Sequence, residues 1–307
     1  MTSTQLGQGR RTVELSAGSV NYREQGEGRP VLLLHGLLTD GHFWDQVTPH
    51  LSGVRVVVPD LPLGSHRLGM ARDADLTPPS LALLVDDLMM ALDLRDVVLV
   101  GSDVGGAVAQ LVAARHRDRI GALVLCSCDT LEHFPPLSFW YLKALGYLPG
   151  SLLLARALLA IPAMRRRAYR SLQKRHVAAE LAEYWMTADR GNGQVRRDLA
   201  KVLRGMSRRH TLAAAEELRD FDRPTRLVWA YTGKVFPLND GRRLAQMIPN
   251  ATLTVVPDSY AHVPIDAPRA VAAAINEMAI LSPDRPTPGR SSQRTGGAPT
   301  PGWRQTR

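Results

Sequence analysis

The chain has 307 residues, of which 45% are hydrophobic, enough for one large α/β domain with an inserted subdomain. Its two cysteines, Cys126 and Cys128, lie two apart in an apparent strand and are therefore expected on the same face. Their spacing fits neither a disulfide framework nor a zinc site, so we expect a reducing, cytoplasmic setting. The polar N-terminus lacks a signal-peptide core, and the most apolar run, residues 147–164, is interrupted by two prolines and an arginine.

The formal net charge is +9 and the isoelectric point is near 10, values that nucleic-acid-binding proteins often share. Arginines are concentrated in the tail from residue 282 and between Arg156 and Arg209, in helix-like segments that contain no recognised nucleic-acid-binding motif. We therefore expect a solvated basic face, with no nucleic acid and no membrane as partner. A preference for anionic substrates stays open, as does association of the chain into a homo-oligomer.

The first 129 residues alternate short apolar runs with helical stretches, after an apparent opening hairpin. This alternation predicts a mostly parallel sheet with helices on both faces. Strands are predicted at 12–15, 20–24, 31–34, 54–58, 97–100 and 120–126, and helices at 43–51, 77–92 and after residue 103.

The pattern changes near residue 130, where strand signals stop and helical segments follow one another. We interpret this stretch as an inserted helical subdomain, called the cap below. Cap helices are predicted at 137–148, 152–161, 163–174, 177–188 and 194–206, after which the core resumes with strands at 225–231 and 252–256 and a helix at 268–281. The predicted regions are a core of 1–129 and 222–281, a cap of 130–221, and a disordered tail of 282–307, which is rich in Pro, Gly, Ser and Arg.

A tight turn with the sequence Gly-Ser-Asp-Val-Gly-Gly, residues 101–106, separates a buried strand from an Ala-rich helix. This pattern is typical of a nucleophile elbow, which needs small residues around its tip. With Asp103 at the tip, glycines stand two residues before and after it. With Ser102 at the tip, the flanking residues would be the bulky Val100 and Val104. The predicted tip is therefore Asp103, and the alternative is that its side chain only caps the helix.

These features resemble the α/β-hydrolase superfamily over about residues 12–281. An aspartate at the tip is similar to the haloalkane dehalogenases and epoxide hydrolases of that superfamily. More narrowly, residues 62–66, the Asp-x-Gly-Gly elbow and residues 128–136 resemble a group of actinobacterial α/β fold hydrolases. The resemblance implies a small-molecule substrate and neither cofactor nor metal. Further matches are Leu33-Leu34-His35-Gly36, Pro59-Asp60-Leu61-Pro62 and Leu227-Val228-Trp229.

A carboxylate nucleophile is suited to attack at a tetrahedral carbon, displacing an alkoxide or halide and leaving an alkyl ester on the enzyme. A histidine then activates the water that cleaves this ester. By resemblance that histidine is His262, in the loop after the last strand. The resemblance also implies that the oxyanion-hole donors are the backbone N–H groups of Leu37 and Val104.

The sequence departs from the family pattern at the base and at the acid that orients it. His262 lies one residue closer to Pro268 than the family spacing, so His66, in a loop at the same sheet edge, is an alternative base; its simpler role is that of a polar loop residue. The usual acid position after the seventh strand is Gly233. We therefore expect the orienting acid to be Asp129, after the sixth strand, with a loop-capping role as the alternative.

The substrate class follows from the neighbours of the nucleophile and from the cap. Leu37 and Val104 stand where the dehalogenases have halide-binding side chains, and neither side chain donates a hydrogen bond. Epoxide hydrolases protonate the opening ring with cap tyrosines. The cap range contains Tyr141, Tyr147, Tyr169 and Tyr184, of which Tyr141 and Tyr184 are selected as candidates. Epoxide hydrolysis is favoured. The alternatives are cleavage of a carbon–halogen bond and a non-hydrolytic cyclase, isomerase or ligand-binding protein on the same scaffold.

Overall fold

A computed structural model describes residues 9–175, 177–188, 192–233 and 235–281; the predicted tail lies outside these ranges. Within these ranges, eight strands form a single sheet. They are β1 (Arg10–Leu15), β2 (Gly18–Gln25), β3 (Arg29–Leu34), β4 (Val54–Pro59), β5 (Val97–Asp103), β6 (Ile120–Cys128), β7 (Thr225–Ala230) and β8 (Ala251–Val256). Their helices are α1 (Pro78–Ala91), α2 (Val104–Arg115), α3 (Leu142–Tyr147), α4 (Ser151–Ala160), α5 (Pro162–Leu172), α6 (Ala179–Met186), α7 (Gly193–Gly205), α8 (Arg208–Glu217), α9 (Leu238–Met247), α10 (Val263–Asp266) and α11 (Pro268–Ile280).

The sheet order is β1-β2-β4-β3-β5-β6-β7-β8. The β1–β2 hairpin is antiparallel and joins β4 in antiparallel pairing, and all remaining pairs are parallel. This arrangement confirms the predicted α/β fold with its mostly parallel sheet. Since parallel strands end at one edge, the loops after β3, β5, β6 and β8 meet there.

Apolar side chains cover both faces of the sheet, as parallel strands require. Leu32, Leu99 and Leu123 pack with α1, α2 and α8 on one face. Val31 and Val98 pack with α11 on the other. A bulge at the end of β6 breaks this alternation, since the register with β5 shifts between Ser102 and Asp103.

The bulge corrects one expectation about the cysteines. Cys126 packs on the α11 face and Cys128 on the α2 face, because Ser127 between them is skipped in the pairing with β5. Both thiols are buried and free. The bulge lies immediately before Asp129, and a bulge of this kind bends its strand.

The predicted helix at 43–51 was wrong. Two short 3₁₀ helices, Gly41–Trp44 and Thr48–His50, occupy this stretch. Pro49 explains the difference, because it has no backbone N–H to continue an α-helical hydrogen-bond ladder. Helix α9, between β7 and β8, was not predicted.

The cap consists of α3 to α7, which follow β6. Helix α8 was included in the predicted cap range, but it packs on α2 through buried Ala214 and Ala215 and so lies with the core. No helix within the described ranges combines the length and apolar character needed to cross a bilayer.

One buried arginine joins strand β1 to two loops and to the cap. The Arg10 guanidinium donates to Asp40 after β3 and to Asp60 after β4, both at 2.7 Å. It also donates to the hydroxyl of Tyr184 in α6, at 2.9 Å. Replacing Arg10 with Ala leaves two buried carboxylates without this cation and should lower the free energy of unfolding by about 3–5 kcal/mol.

Urea denaturation followed by circular dichroism measures this loss. The matched control is Arg11→Ala, since Arg11 pairs with Glu24 but is 64% exposed. That variant should lose no more than about 0.5 kcal/mol. Equal losses in the two variants would contradict a stabilising role for the buried network.

Candidate active site

Asp103 occupies a strained turn between β5 and α2. Its backbone has φ of +55° and ψ of −134°, a conformation that costs a non-glycine residue free energy. Glycines permit the turn because a Cβ on Gly105 would lie 2.3 Å from the carbonyl oxygen of His35. A Cβ on Gly36 would lie 2.5 Å from that of Asp103. The predicted elbow therefore places a carboxylate against the loop after β3.

The two carboxylate oxygens of Asp103 have different surroundings. Oδ1 accepts the backbone N–H of Val104 at 2.5 Å and that of Leu37 at 3.2 Å, the two donors expected from the sequence. Oδ2 lies 3.8 Å from Nε2 of His262, too far for a direct hydrogen bond. One oxygen is thus held by the backbone, and the other faces His262.

A buried histidine fixes the loop that carries the Leu37 donor. Nε2 of His35 accepts the N–H of Leu61 at 2.8 Å, so Nδ1 carries the proton and donates to the carbonyl of Gly36 at 2.9 Å. Burial lowers the pKa of His35, which favours the neutral ring that these contacts require. His35 is therefore a positioning residue.

His262 lies next to Asp103 despite its one-residue departure from the family spacing. Its ring is buried and packs edge-on against Phe43, with ring centres 5.1 Å apart. Its backbone N–H donates to the carbonyl of Leu172 in the cap, at 2.8 Å. Asp266 holds the same loop by accepting the N–H of Tyr260 at 2.9 Å.

The hydrogen-bond partner of Nδ1 of His262 belongs to the cap. Oε1 of Gln173, just after α5, lies 3.0 Å from Nδ1. This contact assigns the proton to Nδ1 and leaves Nε2 as the basic nitrogen facing Asp103. Sequence reasoning did not find Gln173, because a glutamine 89 residues from its histidine belongs to no motif or periodic pattern.

Asp129 does not lie where the sequence analysis expects it, on Nδ1 of His262. It lines the same cavity as Asp103, but no hydrogen bond joins it to His262 in the described part of the chain, where Gln173 takes that position. Its Oδ1 is buried and has no partner among the described residues. Burial, and secondarily the charge of Asp103, raises the pKa of Asp129 well above its usual range.

A raised pKa makes Asp129 a source of pH-dependent instability. The folded protein holds a proton that the unfolded chain releases near pH 4, so stability falls as pH rises above that value. Asp129→Asn removes this titration and should raise the free energy of unfolding by about 1–2 kcal/mol at about pH 8. Urea unfolding measures the gain, which should shrink toward about pH 4, where both states hold the proton. A gain independent of pH would contradict this account.

The alternative base His66 faces another partner. Its Nε2 lies 3.4 Å from Oδ2 of Asp198 in cap helix α7, and its Nδ1 accepts the N–H of Gly64 at 3.3 Å. Asp198 also accepts the N–H of Met70 at 2.8 Å. The structure thus brings His262, and not His66, to Asp103.

The candidate cap tyrosines also separate. Tyr184 accepts a hydrogen bond from Arg10, and Arg67 lies 3.8 Å above its ring. Tyr141 lines the cavity beside Asp103 and is 43% exposed. Tyr169 in α5 also lines the cavity, and its buried hydroxyl has no partner within the described ranges. Tyr169 was not selected from the sequence because helical periodicity alone does not show which tyrosine faces a pocket.

The cavity between core and cap has a volume of about 1030 Å³. Its floor contains Asp103, Asp129 and His262, and most of its walls are aliphatic or aromatic. No cluster of three or more His, Cys, Asp or Glu suited to a metal ion occurs in the residues that the structure describes. The arrangement brings a carboxylate, an imidazole and two backbone N–H donors together in a largely apolar pocket.

The family model of the alpha/beta hydrolase fold matches residues 29–268. The chain therefore belongs to the alpha/beta hydrolase fold family and is an enzyme of the hydrolase class. This confirms the resemblance drawn from the elbow and its neighbouring motifs.

Individual relatives carry different names. The chain is 28% identical over 257 residues to non-heme chloroperoxidase CPO-A1 of Kitasatospora aureofaciens, covering 76% of this chain and 85% of that protein. It is 26% identical over 284 residues to haloalkane dehalogenase 2 of Mycobacterium bovis, covering 87% of this chain and 93% of that protein. The solved structure of haloalkane dehalogenase DbeA from Bradyrhizobium elkani has a TM-score of 0.73 and 18% identity, covering 88% of this chain and 97% of that one. This last likeness shows the shared fold.

Proposed function

We propose that the protein hydrolyses a small organic epoxide through an ester of Asp103. The main support for this proposal is that the two oxygens of the Asp103 carboxylate have different surroundings. Oδ1 accepts two backbone N–H groups, whereas Oδ2 lies beside His262. Oδ2 attacks a ring carbon, the ring C–O bond breaks, and the released oxygen takes a proton. The product of this step is a hydroxyalkyl ester on Asp103.

The ester is then cleaved by water. Nε2 of His262 takes the water proton as the oxygen attacks the ester carbonyl carbon. Negative charge develops on Oδ1, which the N–H groups of Leu37 and Val104 already hold in the resting enzyme. Collapse of this intermediate breaks the ester C–O bond, and the imidazolium of His262 gives its proton to the leaving alkoxide. The diol is released, and the carboxyl proton that water left on Asp103 returns through solvent to the group that protonated the ring oxygen, which restores the carboxylate of Asp103.

The proton for the opening ring comes from the cap in this proposal. Tyr169 is favoured because its hydroxyl is buried without a partner in a residue that lines the cavity. Burial raises the pKa of Tyr169, so the hydroxyl keeps its proton until an alkoxide develops. Tyr141 is the second candidate in the cavity, whereas the hydroxyl of Tyr184 is bound to Arg10.

Asp129 contributes to the second step. Its raised pKa depends partly on the charge of Asp103, and ester formation removes that charge. Asp129 then releases its proton to solvent more readily, at the stage when His262 becomes an imidazolium. A carboxylate in the same cavity stabilises that cation even without a direct hydrogen bond.

Carbon–halogen hydrolysis is the second candidate, because haloalkane dehalogenases are among the relatives. Against it, the side chains of Leu37 and Val104 beside the nucleophile have no donors for a halide. The indole N–H of Trp185 donates to Asp40, at 2.6 Å, and is therefore committed elsewhere. The non-hydrolytic alternative rests on the glutamine at Nδ1 of His262, where a carboxylate was expected.

Matched substrates test the proposal. Purified enzyme is incubated with 1,2-epoxyoctane and with 1-bromooctane, and diol and bromide are quantified. We expect diol formation and no bromide release. Bromide release without diol would favour the dehalogenase, and neither product from a chain-length series of both substrates would favour the non-hydrolytic alternative.

A further inference from the structure

The charged groups around the cavity are divided by sign between its two sides. The acids, Asp103 and Asp129, belong to the core. The cations other than His262 are arginines of the cap. Three of them, Arg166, Arg167 and Arg170, lie on helix α5.

These three α5 arginines are available to a ligand. All three are exposed, and no ion pair or hydrogen bond of their guanidinium groups occurs within the described part of the chain. Arg156 on α4 differs, since its guanidinium donates to two backbone carbonyls at 2.5 and 2.7 Å. No contact within the described residues therefore gives the guanidinium groups of these three arginines a structural role beside the cavity.

Apart from these charged groups, most residues that line the cavity are apolar. Leu145, Leu159, Leu203 and Phe236 line the space, whose volume is at the upper end of the range for small-molecule pockets. Such a lining favours a hydrocarbon chain, and the carboxylate of Asp103 disfavours a second anion beside it. An anionic ligand would accordingly place its charge on the α5 side.

We propose that the substrate is an amphiphilic carboxylate. Its carboxylate group binds Arg166, Arg167 and Arg170 of the cap, its hydrocarbon chain lies along the apolar walls, and its reactive carbon lies beside Asp103 of the core. The placement of an epoxide beside Asp103 rests on the proposed function, whereas binding of the carboxylate group and the hydrocarbon chain requires no reaction. The arginine charge selects and orients the ligand.

Calorimetric titration with octanoate and with 1-octanol tests this binding mode without turnover. We expect octanoate to bind about tenfold more tightly at low salt, since each exposed charge pair contributes a factor of about two to five. The combined variant Arg166→Gln, Arg167→Gln, Arg170→Gln should lose about tenfold in octanoate affinity. Its affinity for 1-octanol should not change, which also shows that the cavity is intact.

Arg208→Gln is the matched control, because Arg208 is an exposed arginine of α8 outside the cavity lining. It should leave octanoate affinity unchanged. Equal affinities of the wild type for octanoate and 1-octanol would overturn the proposal. So would loss of binding to anionic phospholipid vesicles in the triple variant with octanoate binding unchanged, since the arginines would then serve a lipid surface. A failure of the proposed Asp103 mechanism would be detected in a separate measurement, the rate of diol formation, and would leave the octanoate affinities unchanged.

Discussion

Replacing Asp103 with Asn is expected to lower kcat by about 10⁴-fold or more, as removal of a nucleophile typically does. The amide keeps the shape of the side chain but is a far weaker nucleophile than the carboxylate. Asn also tolerates positive φ better than most residues, so the backbone at +55° should persist. Initial rates of diol formation measure the loss, and unchanged urea unfolding excludes a folding defect.

Ser102→Ala is the matched control for this variant. Ser102 precedes the nucleophile, is fully buried, and its hydroxyl has no partner among the described residues. Its removal should leave kcat within about threefold, since the hydroxyl takes no part in the reaction. If Ser102→Ala abolished turnover and Asp103→Asn retained it, the enzyme would be a serine hydrolase and the assignment of Asp103 would be wrong.

The elbow was readable from the sequence because its constraints are local. Close approach of β5, α2 and the loop after β3 allows only small residues at Gly36 and Gly105, and each is visible in a short motif. Apolar runs that alternate with helical stretches likewise predicted the parallel sheet. Where a local rule failed, as at residues 43–51, a single proline changed the kind of helix.

The partners of the base were not readable, because they depend on contacts across long sequence separations. Gln173 reaches His262 from the end of a cap helix, and nothing in the periodicity of α5 shows this. The position of Asp129 depends on the bulge at Ser127, which shifts the register at the end of β6. Such a shift in a continuous apolar strand leaves no pattern in the residues themselves.

His262→Ala should stop the reaction after its first step. Asp103 keeps its two backbone donors, so ester formation proceeds, whereas the water that cleaves the ester loses its base. We expect steady-state turnover to fall by about 10³-fold while one equivalent of alkyl-enzyme accumulates. Intact mass spectrometry detects the adduct, and peptide mapping should locate it on Asp103.

The mass of this adduct also separates the two hydrolytic candidates. Ring opening of an epoxide adds the whole mass of the substrate, because no atom leaves. Displacement of a halide adds only the alkyl group in place of a proton. His66→Gln provides the control, since His66 pairs with Asp198 and should leave turnover without an accumulated adduct. An adduct that accumulates in His66→Gln and not in His262→Ala would transfer the role of base to His66, and would require the loop after β4 to move toward Asp103 during the reaction.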